Sequence, residues 1–303
     1  MTLNRRASLM NLGALALATA AMPAWSQDNK PSAQTLRLLV AHPVVASLTQ
    51  SLVRDTALEV LRPAPEALPA NRLQAFFSGR GAAALSQAAA RADAVVALRS
   101  IWPDDPLFPL ARRQNIRLIE IDAARPLDAS LPGIALQEQA ATAAALPWLD
   151  PVNLGRMADV IAADLGRLLP EARPRVQANA AALRQQLLAI SAQSEARLAV
   201  ASNVAVFSLS DRLDYLVSGF NLDLAGSDAR EDSAWTPEAL AALVQQLKAA
   251  KPAAVLHHRE APPAVAQAVQ QAGVRLIVLQ TEGRDPVGDL KVNAERLAAI
   301  ALS

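Results

Sequence analysis

The sequence predicts an α/β protein of two βα lobes with parallel sheets, joined by a long interlobe helix and leaving a ligand cleft between the lobes. Three observations carry that prediction. Short apolar runs rich in Val, Ile and Leu, mostly without alternation, read as strands buried on both faces of a parallel sheet. A βαβα order stands on both sides of a helical middle. Within that middle, apolar residues recur at helical spacing for long enough to reach both lobes.

Residues 1–26 read as an export signal. Arg5 and Arg6 form a positive start, Leu9 to Ala24 is an uncharged run of 16 residues, and Ala24-Trp25-Ser26 offers small residues for cleavage before Gln27. A run of that length is short for a membrane span, which needs about 20 residues. The paired arginines resemble a twin-arginine signal, but Ser8 stands where the strong form has Phe, so general secretion fits equally well. Residues 27–35 are a polar leader, and the mature protein is expected in the periplasm.

The first lobe, 36–150, takes strands from Leu36 to Ala41, Leu58 to Leu61, Ala94 to Leu98 and Ile116 to Ile121, with helices from Val44 to Arg54 and Gly81 to Arg91. The helical segment, 151–199, follows. Leu154, Met157, Ile161, Leu165 and Leu168 mark one amphipathic helix ending near Pro170, and Val176, Ala180, Leu183, Leu187, Ile190 and Leu198 mark a second from about Pro174. At ~1.5 Å per residue the second extends roughly 37 Å, a rigid strut that implies small lobe motions on ligand capture. The second lobe, 200–303, has strands at Val204 to Phe207, Ala253 to Leu256 and Val274 to Leu279. Its helices run from Pro237 to Ala249, Pro263 to Ala272 and Pro286 to Ala301; Thr236 is the N-cap of the first, with Pro237 at its first turn.

Composition narrows the function. The 29 Lys and Arg balance 28 Asp and Glu, and removing Arg5 and Arg6 with the signal leaves 27 basic against 28 acidic side chains. Such a balance gives no footprint for nucleic acid. With no Cys there is no disulfide, thiolate metal site or thiol nucleophile, and only three histidines remain: His42, His257 and His258. No G-x-S-x-G elbow, P-loop, G-x-G-x-x-G or H-E-x-x-H is present, so the chain reads as no enzyme and needs no catalytic cofactor.

Several segments in shared order carry a family resemblance. Trp148-Leu149-Asp150-Pro151-Val152-Asn153 resembles the W-L-D-P-x-N motif of zinc/manganese solute-binding proteins, the extracytoplasmic receptors of metal-importing ABC transporters. Asn179-Ala180-Ala181-Ala182-Leu183 resembles their interlobe helix, Ala92-Asp93-Ala94-Val95-Val96 their A-D-x-V-V segment, and Trp235-Thr236-Pro237-Glu238 the helix after their acidic loop. The resemblance implies a receptor that passes a divalent metal, zinc or manganese, to an ABC permease of the inner membrane, with the ion as cargo.

The same resemblance exposes a departure. Such receptors commonly hold the metal through three His and one carboxylate. Here Leu146 stands two residues before the motif's Trp, Ser210 stands before Asp211 where a second His belongs, and the first-lobe stretch Ala64 to Ser78 has no His, only Asn71 as a loose candidate. The carboxylate after the last strand is retained as Glu282 or Asp285.

A rearranged site is therefore expected from His42, His258, Asp211 and Glu282. His42 follows the first strand and His257-His258 follows a second-lobe strand, and carboxyl ends of strands face the ligand crevice in open α/β sheets. Each His also has an ordinary structural reading, and adjacent His257 and His258 point opposite ways if extended. Further cleft candidates are Arg99 and Trp102 after the third strand, for an anion or a metal chelate, with Ser210 and Asp285. Arg99 is equally readable as paired with Asp104 or Asp105, and Asp150 as a helix cap. Asp228, Glu231 and Asp232 read either as a metal-catching loop or as solvated surface. A receptor scaffold that has become a protein-interaction module is the reading from another functional class.

Overall fold

A computed structural model of the chain describes residues 35–128, 131–137, 146–281 and 283–302. The export signal, the leader up to residue 34 and Glu282 lie outside the described residues.

The first lobe builds β1 (Leu36–Leu39), α1 (Pro43–Leu52), β2 (Leu58–Leu61), α2 (Leu73–Phe77), α3 (Ala82–Arg91), β3 (Ala94–Ala97), α4 (Leu107–Arg112) and β4 (Ile119–Asp122). Then come α5 (Pro151–Leu168) and α6 (Arg173–Leu198). The second lobe builds β5 (Ala205–Ser208), α7 (Asp214–Gly219), β6 (Asp223–Ser227), α8 (Pro237–Ala250), β7 (Ala254–His257), α9 (Pro263–Gln271), β8 (Arg275–Val278) and α10 (Pro286–Leu297). Each lobe holds a parallel four-stranded sheet, in the orders β2-β1-β3-β4 and β6-β5-β7-β8. The order is the same in both. Each sheet therefore switches direction between its first and third strands, β1/β3 and β5/β7, the place where open α/β sheets receive ligands.

Burial on both sheet faces explains the missing alternation. Leu38, Val40 and Val96 turn to one core, which also takes in α1, α5, α6 and, from the second lobe, Val206, Leu256 and Leu290. Leu39, Ala41, Val95 and Ala97 turn the other way and pack with Phe77, Leu85 and Phe108. Phe207 and Val255 do the same against Leu243, Leu247 and Val265. One apolar core thus runs through both lobes and the helices between them.

The helical middle follows its sequence pattern. Asp150 caps α5 by accepting from the Val152 amide at 2.8 Å, and Pro151 occupies the first turn, where its missing N–H costs nothing. The 26 residues of α6 extend roughly 39 Å at ~1.5 Å each. It packs against α1 of the first lobe and α10 of the second. The Asn179 amide fixes the first of these contacts by donating to the Leu52 and Arg54 carbonyls at 2.9 and 2.8 Å, satisfying the frayed end of α1.

Three expectations shift. β4 starts at Ile119 rather than Ile116, because Asn115 accepts from the Arg117 amide in a turn that leaves Ile116 77% exposed. β6, Asp223-Leu224-Ala225-Gly226-Ser227, is an edge strand with a polar, small-residue sequence and no apolar run to announce it. α10 ends at Leu297 and a 3₁₀ turn continues from Ala298 to Leu302.

Candidate functional site

His42 leaves β1 at the switch point of the first sheet and is the N-cap residue of α1. Its side chain makes no cap bond. It wedges between two indoles, with its ring edge-on to Trp102 at 5.6 Å and to Trp148 at 5.0 Å between centroids. Only 6% of His42 is exposed and its Nδ1 has no partner among the described residues. Burial first, and the Arg62 charge second, hold its pKa down to about 3, so the imidazole is neutral at any periplasmic pH.

Trp148 sits in the 3₁₀ turn Pro147–Leu149 that leads into α5. It is 8% exposed, and its indole Nε1 also has no partner among the described residues. The loop after β8 closes over it. Gly283, at φ +70°, lies so near that a methyl group added to it would overlap Val44 of α1 and stand 3.5 Å from Trp148 Nε1. Its amide donates to Asp289 Oδ2 at 2.9 Å. Only glycine combines that backbone angle with that approach. The second lobe thereby touches the first at α1, beside His42.

Arg62 follows β2, one strand over from His42, since the Val40 amide bonds the Leu61 carbonyl at 3.0 Å. Its Nη2 donates to the Glu66 carbonyl at 3.3 Å, while its Nε is buried without an acceptor. Burial presses its pKa below the ordinary arginine value; Glu66 pulls it back up in part, and the Arg284 charge pushes it down more weakly than Glu66 lifts it.

The second switch point holds a matching set. The strand runs one residue further than the sequence predicts, so His257 ends β7 and His258 follows. The two rings do not point apart: they meet edge to face at 4.8 Å, because the chain turns at once and the His258 amide donates to His257 Nδ1 at 2.9 Å. His258 Nδ1 is buried and unpartnered. Burial, then Arg212, His257 and Arg259, lower its pKa to about 4. His257 is lowered by burial and Arg259.

The remaining candidates disperse. Ser210 is buried in its own loop, where its carbonyl accepts from Ser208 Oγ at 2.7 Å and its hydroxyl from the Arg212 amide at 3.2 Å. Asp211 is exposed, and Asp285 is the N-cap of α10, accepting from the Gly288 amide at 3.1 Å. Arg99 pairs with neither Asp104 nor Asp105. Its guanidinium binds Glu120 across the neighbouring strand at 3.2 Å, because Asp105 is buried and taken up by the Leu98 and Leu107 amides at 3.1 and 3.0 Å. In the acidic loop, Asp228 binds Arg230 and Asp232 binds Arg259, at 2.6 and 2.7 Å. Asn71 is exposed in a 3₁₀ turn.

Among the described residues no three His, Asp or Glu side chains are grouped to hold a metal ion, so His42, His258 and Asp211 do not form such a group. The structure gathers His42 instead with Trp102 and Trp148. Sequence reasoning missed Trp148 as a cleft residue because its motif signalled only a family, and missed Arg62 and Arg284 because lone arginines carry no pattern. A shallow cavity of about 220 Å³ between α5 and α6, walled by Val152, Gly155, Leu187 and Leu188, lies on the helix pair rather than at the strand ends.

A family model described as "Zinc-uptake complex component A periplasmic" matches residues 134–297, more than half of the chain. Among solved structures, the SBP FpvC from Pseudomonas aeruginosa in complex with Mn²⁺ superposes with TM-score 0.66 at 19% identity, covering 89% of this chain and 99% of its own. A periplasmic metal binding protein from Candidatus Liberibacter asiaticus gives 0.64 at 11%, covering 88% and 99%. ZnuA gives 0.63 at 18%, covering 88% and 98%. At these identities the likeness speaks for the fold. No curated protein matches the chain by sequence. Among the described residues, no helix is long and apolar enough to cross a membrane.

Proposed function

Because the chain belongs to the family of periplasmic zinc-uptake component A proteins, we propose that it is the solute-binding receptor of an ABC importer for a divalent metal, zinc or manganese, bound at a non-standard site. One observation carries the assignment of the site. Each sheet presents at its switch point a neutral imidazole whose Nδ1 is buried and unpaired, His42 in the first lobe and His258 in the second. Zinc and manganese accept neutral imidazole, and these two need lose no proton before binding. Asp211, which follows Ser210 after β5, and Glu282, which lies outside the described residues, are the two carboxylates proposed to complete the set.

The rest of the chain fits that role. Residues 1–26 act as a cleavable export signal, by the general or the twin-arginine route, and release the receptor into the periplasm. A strut like α6, packed on both lobes through a shared core, favours capture with little lobe movement and delivery to a permease in the inner membrane.

Native mass spectrometry of residues 27–303 with Zn²⁺ or Mn²⁺, beside a His42→Ala/His258→Ala double variant, tests the reading. One ion per chain is expected, with affinity at least tenfold lower in the double variant. Tight binding that the double variant keeps would overturn the site. A chain that takes up metal in no form would overturn the metal receptor.

A further inference from the structure

The seam around His42 holds donors that a bare cation cannot satisfy. An indole Nε1–H is a donor only, and that of Trp148 is buried without an acceptor. Arg62 Nε–H is buried without one as well. A buried donor left unpaired carries the full penalty of its lost hydration, greater for a charged group. Arg284 follows Gly283, the residue pressed against Val44 and Trp148; it is exposed at the rim, and its charge reaches Arg62. The N-terminal end of α1, which starts beside His42, adds its partial positive charge.

We infer that the cleft takes its metal as an anionic, oxygen-rich chelate, a carboxylate complex, whose oxygens are gripped by Arg62, Arg284 and the Trp148 indole N–H. This rests on the metal-receptor reading above and names its substrate class. A bare divalent ion brought to His42 meets the Arg62 charge, with Arg284 behind it, and like charges in a half-buried site repel. A chelate reverses that sign. It also brings coordinating oxygens of its own, which answers the lack of any three-residue His, Asp or Glu group among the described residues. Trp102 and Trp148 then offer flat apolar walls on either side of the imidazole.

Calorimetric titration of residues 27–303 with zinc alone, citrate alone and zinc with citrate tests it, using the wild type, Arg284→Gln, Arg62→Gln and Trp148→Phe. Trp148→Phe keeps the aromatic ring and deletes the N–H, and thermal melting identifies any variant that fails to fold. The expected result is that zinc with citrate binds at least tenfold tighter than zinc alone. Each of the three variants should weaken that complex at least tenfold and leave binding of zinc alone unchanged or improved. Equal affinity for zinc with and without citrate, or variants indistinguishable from the wild type, overturns the chelate while leaving a metal receptor intact. Citrate bound through Arg62 and Arg284 with zinc never entering overturns the metal and leaves a carboxylate receptor.

Discussion

The imidazole of His42 and the indole of Trp148 stand edge to face with centroids 5.0 Å apart, and neither His42 Nδ1 nor Trp148 Nε1 has a hydrogen-bond partner among the described residues. Two buried polar nitrogens left unpaired side by side are rare in a folded interior, which pairs nearly all such groups. His42 follows β1 at the sheet's switch point and Trp148 lies under the loop that follows β8, where the two lobes touch.

Burial of His42 has a consequence for stability. With its folded pKa held to about 3 and its unfolded value at ~6.5, both states are neutral above pH 6.5. Below that, the unfolded chain takes a proton that the folded chain refuses, so stability falls as the pH drops from about 6.5 toward 3. Between pH 7 and pH 5 this group alone removes about 2 kcal/mol. Urea unfolding of the wild type and of His42→Gln at the two pH values checks it: the variant should lose about 2 kcal/mol less over that interval. Parallel losses would show that His42 titrates normally.

Gly283→Ala should be costly. The new methyl group overlaps Val44 at a backbone angle of φ +70°, and the combined strain amounts to roughly 1–3 kcal/mol. Thermal unfolding should show the loss, and the fluorescence of Trp148 should change as the loop lifts. An unchanged melting curve would mean that the loop does not rest on α1.

Asn179→Ala should detach α6 from the end of α1. Two hydrogen bonds to the Leu52 and Arg54 carbonyls disappear, at about 1 kcal/mol each. Hydrogen exchange should quicken at the last turn of α1 and leave α10 untouched. Uniform quickening through both lobes would contradict this local role.

The two halves of the site were not equally legible in the sequence. The strands buried on both faces, the stripes of α5 and α6 and the caps at Asp150 and Thr236 follow from periodicity and local chemistry, and they stand where the pattern puts them. His42 and His258 were also readable, as the residues that follow strands. β6 was not, because an exposed edge strand of Asp, Leu, Ala, Gly and Ser has no apolar signature. Nor was the partner of Arg99: Glu120 is its neighbour only through the β3/β4 pairing, whereas Asp104 and Asp105 are close in sequence alone. Gly283 meets Trp148, and the Arg284 charge reaches Arg62, across distant segments, and that kind of encounter leaves no spacing to read.

Arg99 offers a control for the charge argument. Its ion pair with Glu120 at 3.2 Å is partly exposed, and such pairs are worth about 0–1 kcal/mol. Arg99→Gln should lower stability by no more than that, as measured by urea unfolding, and leave ligand affinity unaltered. A large loss of affinity would place Arg99 in the cleft's working surface.

Anomalous diffraction at the zinc edge, from crystals of residues 27–303 grown with zinc and citrate, locates the cargo directly. The account predicts one strong peak at the seam between His42 and the loop after β8, with the oxygens of the chelate reaching Arg62 and Arg284. A peak confined to surface carboxylates, or none within reach of His42, would contradict it.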